Sequence, residues 1–371
     1  MIKDIHLKNF KCFESITLKQ LKTLNVISGK NNFGKTSILD AIFSFYDVKN
    51  PAALLKVKSF RNEASLLNKE NSFWDSYFYN MDTSKEMSIT IRDERSEVTQ
   101  KYSTIDNTQS ESSVSLNVES ILSNTPPLRQ TLGSQEKGNV LMIKVSETQN
   151  GKRTPPEELI TIKITQKAQE INGEIKQTKK GKLYEFKTAA IITTSRNINK
   201  EATIKNVSKL LTQKRKDEII GNLKRIDNRI NDIAIIATDQ NKEIFLDIGL
   251  SELNEISMLG EGVSRALSFI SSILVQKDSI ILIDEIENGI HYSVIKDMIN
   301  ALIEAAKTNN NQIFTTTHSH DVICAINELD EKRKDISYIR LGRDKESQKP
   351  TAMQFNMDDF SFSVENGWEV R

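Results

Sequence analysis

Gly29-Lys30-Asn31-Asn32-Phe33-Gly34-Lys35-Thr36 is the stretch on which the reading of this chain turns. It fits G-x-x-x-x-G-K-[ST], where glycines let the backbone wrap a phosphate with its N–H groups and the next helix adds a favourable dipole. In that pattern Gly29, Asn31, Asn32, Gly34, Lys35, Thr36 and Ser37 line the phosphates. Lys35 reaches the β- and γ-phosphates, and the Thr36 hydroxyl faces Mg²⁺. The context fits as well. Leu24-Asn-Val-Ile-Ser reads as a short strand ending at Gly29, and Ser37–Tyr46 reads as a heavily buried helix. A chance glycine turn before a helix is the plain alternative, and the flanking strand and helix weigh against it.

Ile280-Ile281-Leu282-Ile283-Asp284-Glu285 is an apolar strand that ends on two carboxylates. Such a strand delivers Asp284 to the mouth of a sheet, within reach of Mg²⁺, and places Glu285 to orient or activate an attacking water. Alone it could be a buried strand meeting a polar loop. With a phosphate loop upstream, the carboxylates gain the cationic company that makes them affordable there. Gln312-Ile-Phe-Thr-Thr-Thr-His318-Ser319 is a third strand, running into a histidine. The strand after an Asp-Glu pair is where a γ-phosphate sensor sits, and the His318 imidazole can donate there. His291 and His320 are weaker candidates, and His6 reads as strand surface. Met258-Leu259-Gly260-Glu261-Gly262-Val263-Ser264-Arg265 is a second glycine loop before a helix. Gly260 and Gly262 could hold a further phosphate contact, although alone the stretch reads as a turn with a cap.

Around these motifs the last third alternates helices (Val263–Leu274, Tyr292–Ala306, Val322–Leu329) with strands (280–283, 312–316, 337–341), the pattern of a largely parallel, helix-covered sheet. Ile233–Thr238 and Ile244–Leu250 read as strands, and Ile198–Ile230 has helical spacing. The middle differs. Met87–Ile91, Leu141–Val145 and Ile162–Thr165 read as strands, Ile171-Asn172-Gly173-Glu174 carries a hairpin turn signal, and Ile105–Gln135 reads as loop with Pro126-Pro127. Pro155-Pro156 marks another break. No apolar run reaches the roughly 18–20 residues that span a bilayer. Hydrophobic residues at 37% and charged residues at 27% place the chain among folded globular proteins, and two cysteines are too few for a disulfide framework. These features predict a cytoplasmic protein without membrane partners. Net charge is +1, but basic residues outnumber acids between Arg196 and Arg229. A solvated helical face explains that run more simply than a nucleic-acid surface.

Together the motifs resemble the ABC-type ATPases of the SMC, RecF and OLD group, more particularly the AAA-type ATP-binding proteins of bacterial anti-phage defence systems. Ile5-x-Leu7-x-Asn9-Phe10-Lys11-x-Phe13 is similar to their opening strand and turn. Gly260-Glu261-Gly262 resembles a degenerate signature loop, with Leu259 where a serine is usual. Asp284–His291 resembles their Walker B and D-loop region, Thr316–Ser319 the switch histidine, and Thr193-Thr194-Ser195-Arg196 and Phe362–Arg371 further landmarks. The resemblance implies an α/β P-loop NTPase of ABC-ATPase type. Residues 1–50 and 233–371 would form one domain with a mixed sheet covered by helices, split by an inserted α+β region at 51–232. No Toprim-type nuclease is expected after the ATPase elements. It also implies ATP and Mg²⁺ as cofactors, with Thr36 and Asp284 at the metal and Glu285 and His318 catalytic. Two copies would pair head to tail, as a homodimer or higher homo-oligomer, across Gly29–Thr36 and Gly260–Gly262. The implied role is a switch acting with a separate effector such as a nuclease or toxin. The alternative is a RecF- or SMC-like ATPase that binds nucleic acid in DNA repair or maintenance.

Overall fold

Short apolar runs become sheet and amphipathic runs become the helices that cover it. The computed structural model describes residues 1–48, 54, 57, 74–107, 115–117, 138–149, 152–153, 158–167, 170–179, 187–192, 200–237, 241–329 and 333–366. In chain order the elements begin with β1 (Ile2–Phe10), β2 (Phe13–Leu18), β3 (Leu24–Ser28) and helix α1 (Lys35–Tyr46). The middle supplies β4 (Met87–Asp93), β5 (Ser96–Asn107), β6 (Ser115–Asn117), β7 (Gly138–Gln149), β8 (Lys152–Arg153), β9 (Glu158–Lys167) and β10 (Glu170–Lys179). Then come β11 (Ala189–Ile192), α2 (Lys200–Thr212), α3 (Lys216–Leu223), β12 (Asp232–Ala237), β13 (Lys242–Asp247) and β14 (Asn254–Glu255). The last third holds α4 (Glu261–Val275), β15 (Ile280–Ile283), α5 (Tyr292–Thr308), β16 (Gln312–Thr316), α6 (His320–Asn327), β17 (Ile336–Arg343), β18 (Pro350–Phe355) and α7 (Met357–Glu365).

One sheet runs β11-β15-β16-β3-β17-β18. Its neighbours are parallel except for the antiparallel edge pair β17–β18. This is the mixed α/β sheet expected from the sequence. β15 is apolar throughout because both its faces are covered: Ile280 and Leu282 join one core cluster, Ile281 and Ile283 the other. Helices α4, α5 and α6 cover the second face. Helix α1 covers the first and also touches an antiparallel sheet, ordered β2-β1-β4-β5-β7-β9-β10-β6. Being enclosed from both sides, α1 is buried almost all round rather than along one stripe. Side chains stitch the layers together. Gln312 Nε2 donates to the carbonyls of Ile2 (2.9 Å) and Lys22 (2.8 Å), while its Oε1 accepts from the Ile2 N–H at 2.7 Å. Gln100 of β5 donates to the Phe45 carbonyl of α1 at 2.9 Å.

Several expectations are corrected. The segment 51–232 is not a single insert: β11 pairs in parallel with β15, and α2 and α3 pack on α4. The boundary at 232 therefore does not follow the sheets, and β1 and β2 of the N-terminal part belong to the antiparallel sheet instead. The Asn172-Gly173 signal lies inside β10, opposite Thr165 and Ile164. The chain reverses between Lys167 and Glu170, since the ladder from Glu170↔Lys167 to Lys179↔Glu158 sets the register. β5, β18 and α7 were not expected. β5 presents Val98, Gln100 and Tyr102 to the interior, and the buried glutamine hides the alternation. The Pro126-Pro127, Pro155-Pro156 and Thr193–Arg196 stretches lie outside the described residues. Part of the basic run folds onto acids: Arg215 pairs with Glu218, Arg229 with Asp227, Lys216 with Asp232 and Lys200 with Glu243. Among the described residues no helix is long and apolar enough to cross a membrane.

Candidate active site

Strand register assembles the site. Ile283 of β15 lies opposite Thr315 of β16, and Thr316 of β16 lies opposite Ile27 of β3. Three adjacent parallel strands thus carry Gly29, Asp284 and His318 to one carboxyl edge, where open α/β sheets bind their ligands. Close packing dictates both loop glycines. A Cβ on Gly29 (φ 142°) would meet the Leu341 carbonyl oxygen at 2.7 Å. One on Gly34 (φ 90°) would meet the Phe13 ring at 2.4 Å and Cys12 Sγ at 2.5 Å. Asn31 and Asn32 are exposed, Asn32 in the left-handed conformation (φ 65°) that asparagine tolerates. Ser37 lies in the first turn of α1, its hydroxyl 3.9 Å from Cys12 Sγ. Burial pushes that thiol above its usual range, and Cys12 packs against the first core cluster.

Lys35 is buried and curls over the loop, donating to the carbonyls of Gly29 (2.6 Å) and Lys30 (3.2 Å). Desolvation holds its ammonium below the ordinary lysine range, and the nearby carboxylates of Glu285, Glu287 and Asp284 push it back up. Thr36 Oγ1 lies 3.3 and 3.4 Å from the two Asp284 oxygens. Thr316 Oγ1 donates to Asp284 Oδ1 at 2.5 Å and accepts the Glu285 N–H at 2.8 Å. Glu285 itself is exposed and left-handed (φ 53°), an uncommon backbone for a non-glycine residue and one that recurs at functional turns. His318 is exposed beside Glu287, whose Oε1 accepts the His318 main-chain N–H at 2.9 Å and lies 3.0 Å from Nδ1.

The structure therefore brings Gly29, Lys35, Thr36, Asp284, Glu285 and His318 to one edge. Gly260 and Gly262 are not part of this hydrogen-bonded knot. Gly260 (φ 95°) precedes α4, and a Cβ at either glycine would meet nothing within 4 Å. An indirect tie exists through Arg265, 4% exposed, which bonds Glu261 at 2.7 and 3.0 Å. Its guanidinium packs on Gly289, where a Cβ would approach Nε to 2.2 Å. Sequence reasoning missed the roles of Thr316 and Glu287. Thr316 stands in a run of three threonines and Glu287 two residues beyond Glu285, signals too common to single out either. The other histidines do local work: His6 meets Thr17 Oγ1 at 2.8 Å, His291 caps α5, and His320 lies 3.2 Å from Cys324 Sγ.

The AAA ATPase domain family matches residues 1–323. A Helicobacter pylori protein described as an ATP/GTP phosphatase is 26% identical over 360 residues, covering 91% of this chain and 90% of that protein. An uncharacterised protein of Methanocaldococcus jannaschii is 36% identical over 95 residues, 25% of this chain and 41% of the other. Among solved structures, an SMC head bound to the C-terminal winged-helix domain of ScpA gives a TM-score of 0.47 at 11% identity, with 96% and 99% of the two chains covered. The SMC head domain from Thermotoga maritima gives 0.44 at 11% identity, with 95% and 98% covered. Through the family match over residues 1–323, the chain belongs to the AAA ATPase domain family, and it is an ATPase.

Proposed function

We propose that this ATPase is a dimerising switch in which two copies pair head to tail around ATP. One copy would supply Gly29–Ser37 and the other Gly260–Gly262. The observation that carries this reading is that Glu285, close enough to act on the buried Lys35, and His318, beside Glu287, are both exposed. Water control at such an open centre calls for a cover. The open second glycine loop has exposed Leu250, Leu253 and Met258 before it, and Tyr292 is exposed at the start of α5. These are apolar side chains of the kind that interfaces cover.

In this reading Lys35 binds the β- and γ-phosphates, Glu285 orients the attacking water and His318 contacts the γ-phosphate. Thr36 and Asp284 are suited to Mg²⁺. Oxygens at about 2.0–2.1 Å from that ion stand about 2.9 Å apart as neighbours, close to the 3.3 Å between Thr36 Oγ1 and Asp284 Oδ1. The ion would offset the charge of the phosphates. We place the output on a separate effector, a nuclease or toxin of a defence module, with the resemblance to the OLD group as support. A DNA-binding role has one observation in its favour, the exposed Lys205, Lys209, Lys214, Lys224 and Arg225 on and beside α2 and α3. Strongly salt-dependent binding of plain duplex would favour that role.

The test is Glu285→Gln followed by gel filtration with light scattering. Loss of hydrolysis together with an ATP-dependent dimer is the expected result. A monomer that hydrolyses ATP at the wild-type rate sinks the switch reading.

A further inference from the structure

Glu287 is a carboxylate with no assigned task, and its placement is unusual. Its side chain is 11% exposed, and its Oε2 is buried with no hydrogen-bond partner among the described residues. A buried unpartnered carboxylate oxygen is costly, and such groups in native proteins call for an explanation. All the bonding falls on Oε1, which accepts the His318 main-chain N–H at 2.9 Å and faces Nδ1 of the same residue at 3.0 Å. The root of the histidine and its ring are thus held by one oxygen from the neighbouring loop. The loop is itself fixed, since the Ile286 N–H donates to the Thr316 carbonyl at 3.1 Å.

We propose that Glu287 is a positioning residue for His318: it holds Nδ1–H and thereby presents Nε2 to the γ-phosphate. The inference rests on the reading of His318 as the γ-phosphate contact. A histidine 53% exposed has little packing to choose its rotamer. The carboxylate makes that choice and also selects the tautomer, because a proton on Nδ1 leaves Nε2 as the outward nitrogen. With Nδ1–H so held, Nε2 is the nitrogen turned to the nucleotide: bare it accepts from water, and bearing a proton it donates to a phosphate oxygen. Carboxylates that orient a working histidine through its other nitrogen act in the same way in metal sites and catalytic triads. Glu285 stays free of this duty, so water activation and phosphate sensing rest on separate carboxylates.

The test uses the full chain with Mg-ATP and the variants Glu287→Ala, Glu287→Gln, His318→Ala and the Glu287→Ala/His318→Ala double. Glu287→Ala should lower kcat about 10- to 100-fold and leave KM within about two-fold, as expected for an interaction made in the transition state. Glu287→Gln keeps an acceptor oxygen and should recover most of the rate. The double variant should be no slower than His318→Ala alone. In nitrogen-15 spectra of the histidine-labelled chain, which has four histidines, His318 should carry its proton on Nδ1 and lose that preference in Glu287→Ala. If Glu287→Ala does not fold, Glu287→Met, similar in length but without an acceptor, takes its place. A rate loss of equal size on the His318→Ala background, or a change confined to KM, overturns the role of Glu287 and leaves His318 standing. An undiminished rate in His318→Ala overturns the γ-phosphate reading and the positioning role with it.

Discussion

Thr316 Oγ1 donates to Asp284 Oδ1 at 2.5 Å, and the same oxygen accepts the main-chain N–H of Glu285 at 2.8 Å. One buried hydroxyl therefore aims the candidate metal ligand and fixes the turn that points Glu285 outward. Thr316→Val keeps the shape and removes the hydroxyl. Misplacing reacting groups by about 1 Å costs on the order of 100-fold, so hydrolysis should fall by about 10- to 100-fold. Stability should drop by about 1–3 kcal/mol for the partners left unsatisfied. Steady-state kinetics and urea unfolding measure the two losses, and a variant with the wild-type rate would deny Thr316 its part.

The two glycine loops should respond oppositely to alanine. At Gly34 the added methyl would collide with Phe13 and Cys12 in a left-handed backbone, whereas at Gly262 it would meet nothing within 4 Å. Gly34→Ala should lose nucleotide binding, read with a fluorescent ATP analogue, and more than about 2 kcal/mol of stability. Gly262→Ala should melt with the wild type, within about 0.5 kcal/mol. Equal effects at the two positions would contradict the packing described for Gly34.

Lys11 and Asp40 form an ion pair at 2.7 Å with side chains 16% and 4% exposed. Removing Lys11 takes its cation from a carboxylate that is 4% exposed. Lys11→Met should therefore cost about 1–3 kcal/mol, and Lys11→Met/Asp40→Asn should recover part of it. Urea denaturation of the single and double variants checks this, and strict additivity would show that the pair is not coupled.

Lys35 carries a pH signature. Burial lowers its pKa in the folded chain below the 10.5 of an ordinary lysine. Between those two values the unfolded chain binds more protons, so stability rises with pH across the window and is lost as pH falls through it. Lys35→Met lacks that slope. Without nucleotide, the unfolding free energy of the wild type minus that of Lys35→Met should grow as pH approaches 10.5. A difference that stays flat or shrinks would contradict the burial of the ammonium.

Local pattern made part of this site legible. Gly29–Thr36, the apolar run into Asp284 and Glu285, and the threonine run into His318 each lie within one strand and its turn, where periodicity and residue type suffice. β5 escaped because its interior face includes Gln100, whose partner, the Phe45 carbonyl, lies 55 positions away. The Asn172-Gly173 signal misled because a long ladder outweighs one favourable turn dipeptide. The placement of β11 and α2 was hidden for a related reason: β15, which β11 joins, and α4, on which α2 packs, lie far along the chain.

The amino-acid sequence by itself determined the strand, glycine loop and helix around Gly29–Thr36, the carboxylate-ended strand, the histidine-ended strand and the alternation that makes an α/β sheet. Those features rest on interactions within a few turns of backbone. Tertiary structure alone decided what each carboxylate touches. Thr36 and Asp284 meet across 248 positions because parallel register aligns the ends of β3 and β15 on either side of β16, and the glycine loop carries Thr36 into the first turn of α1. Thr316 and Glu287 find their partners only where the end of β16 and the turn after β15 come together. Residues so distant share a site through packing and register, which depend on the whole core and leave no trace in local spacing.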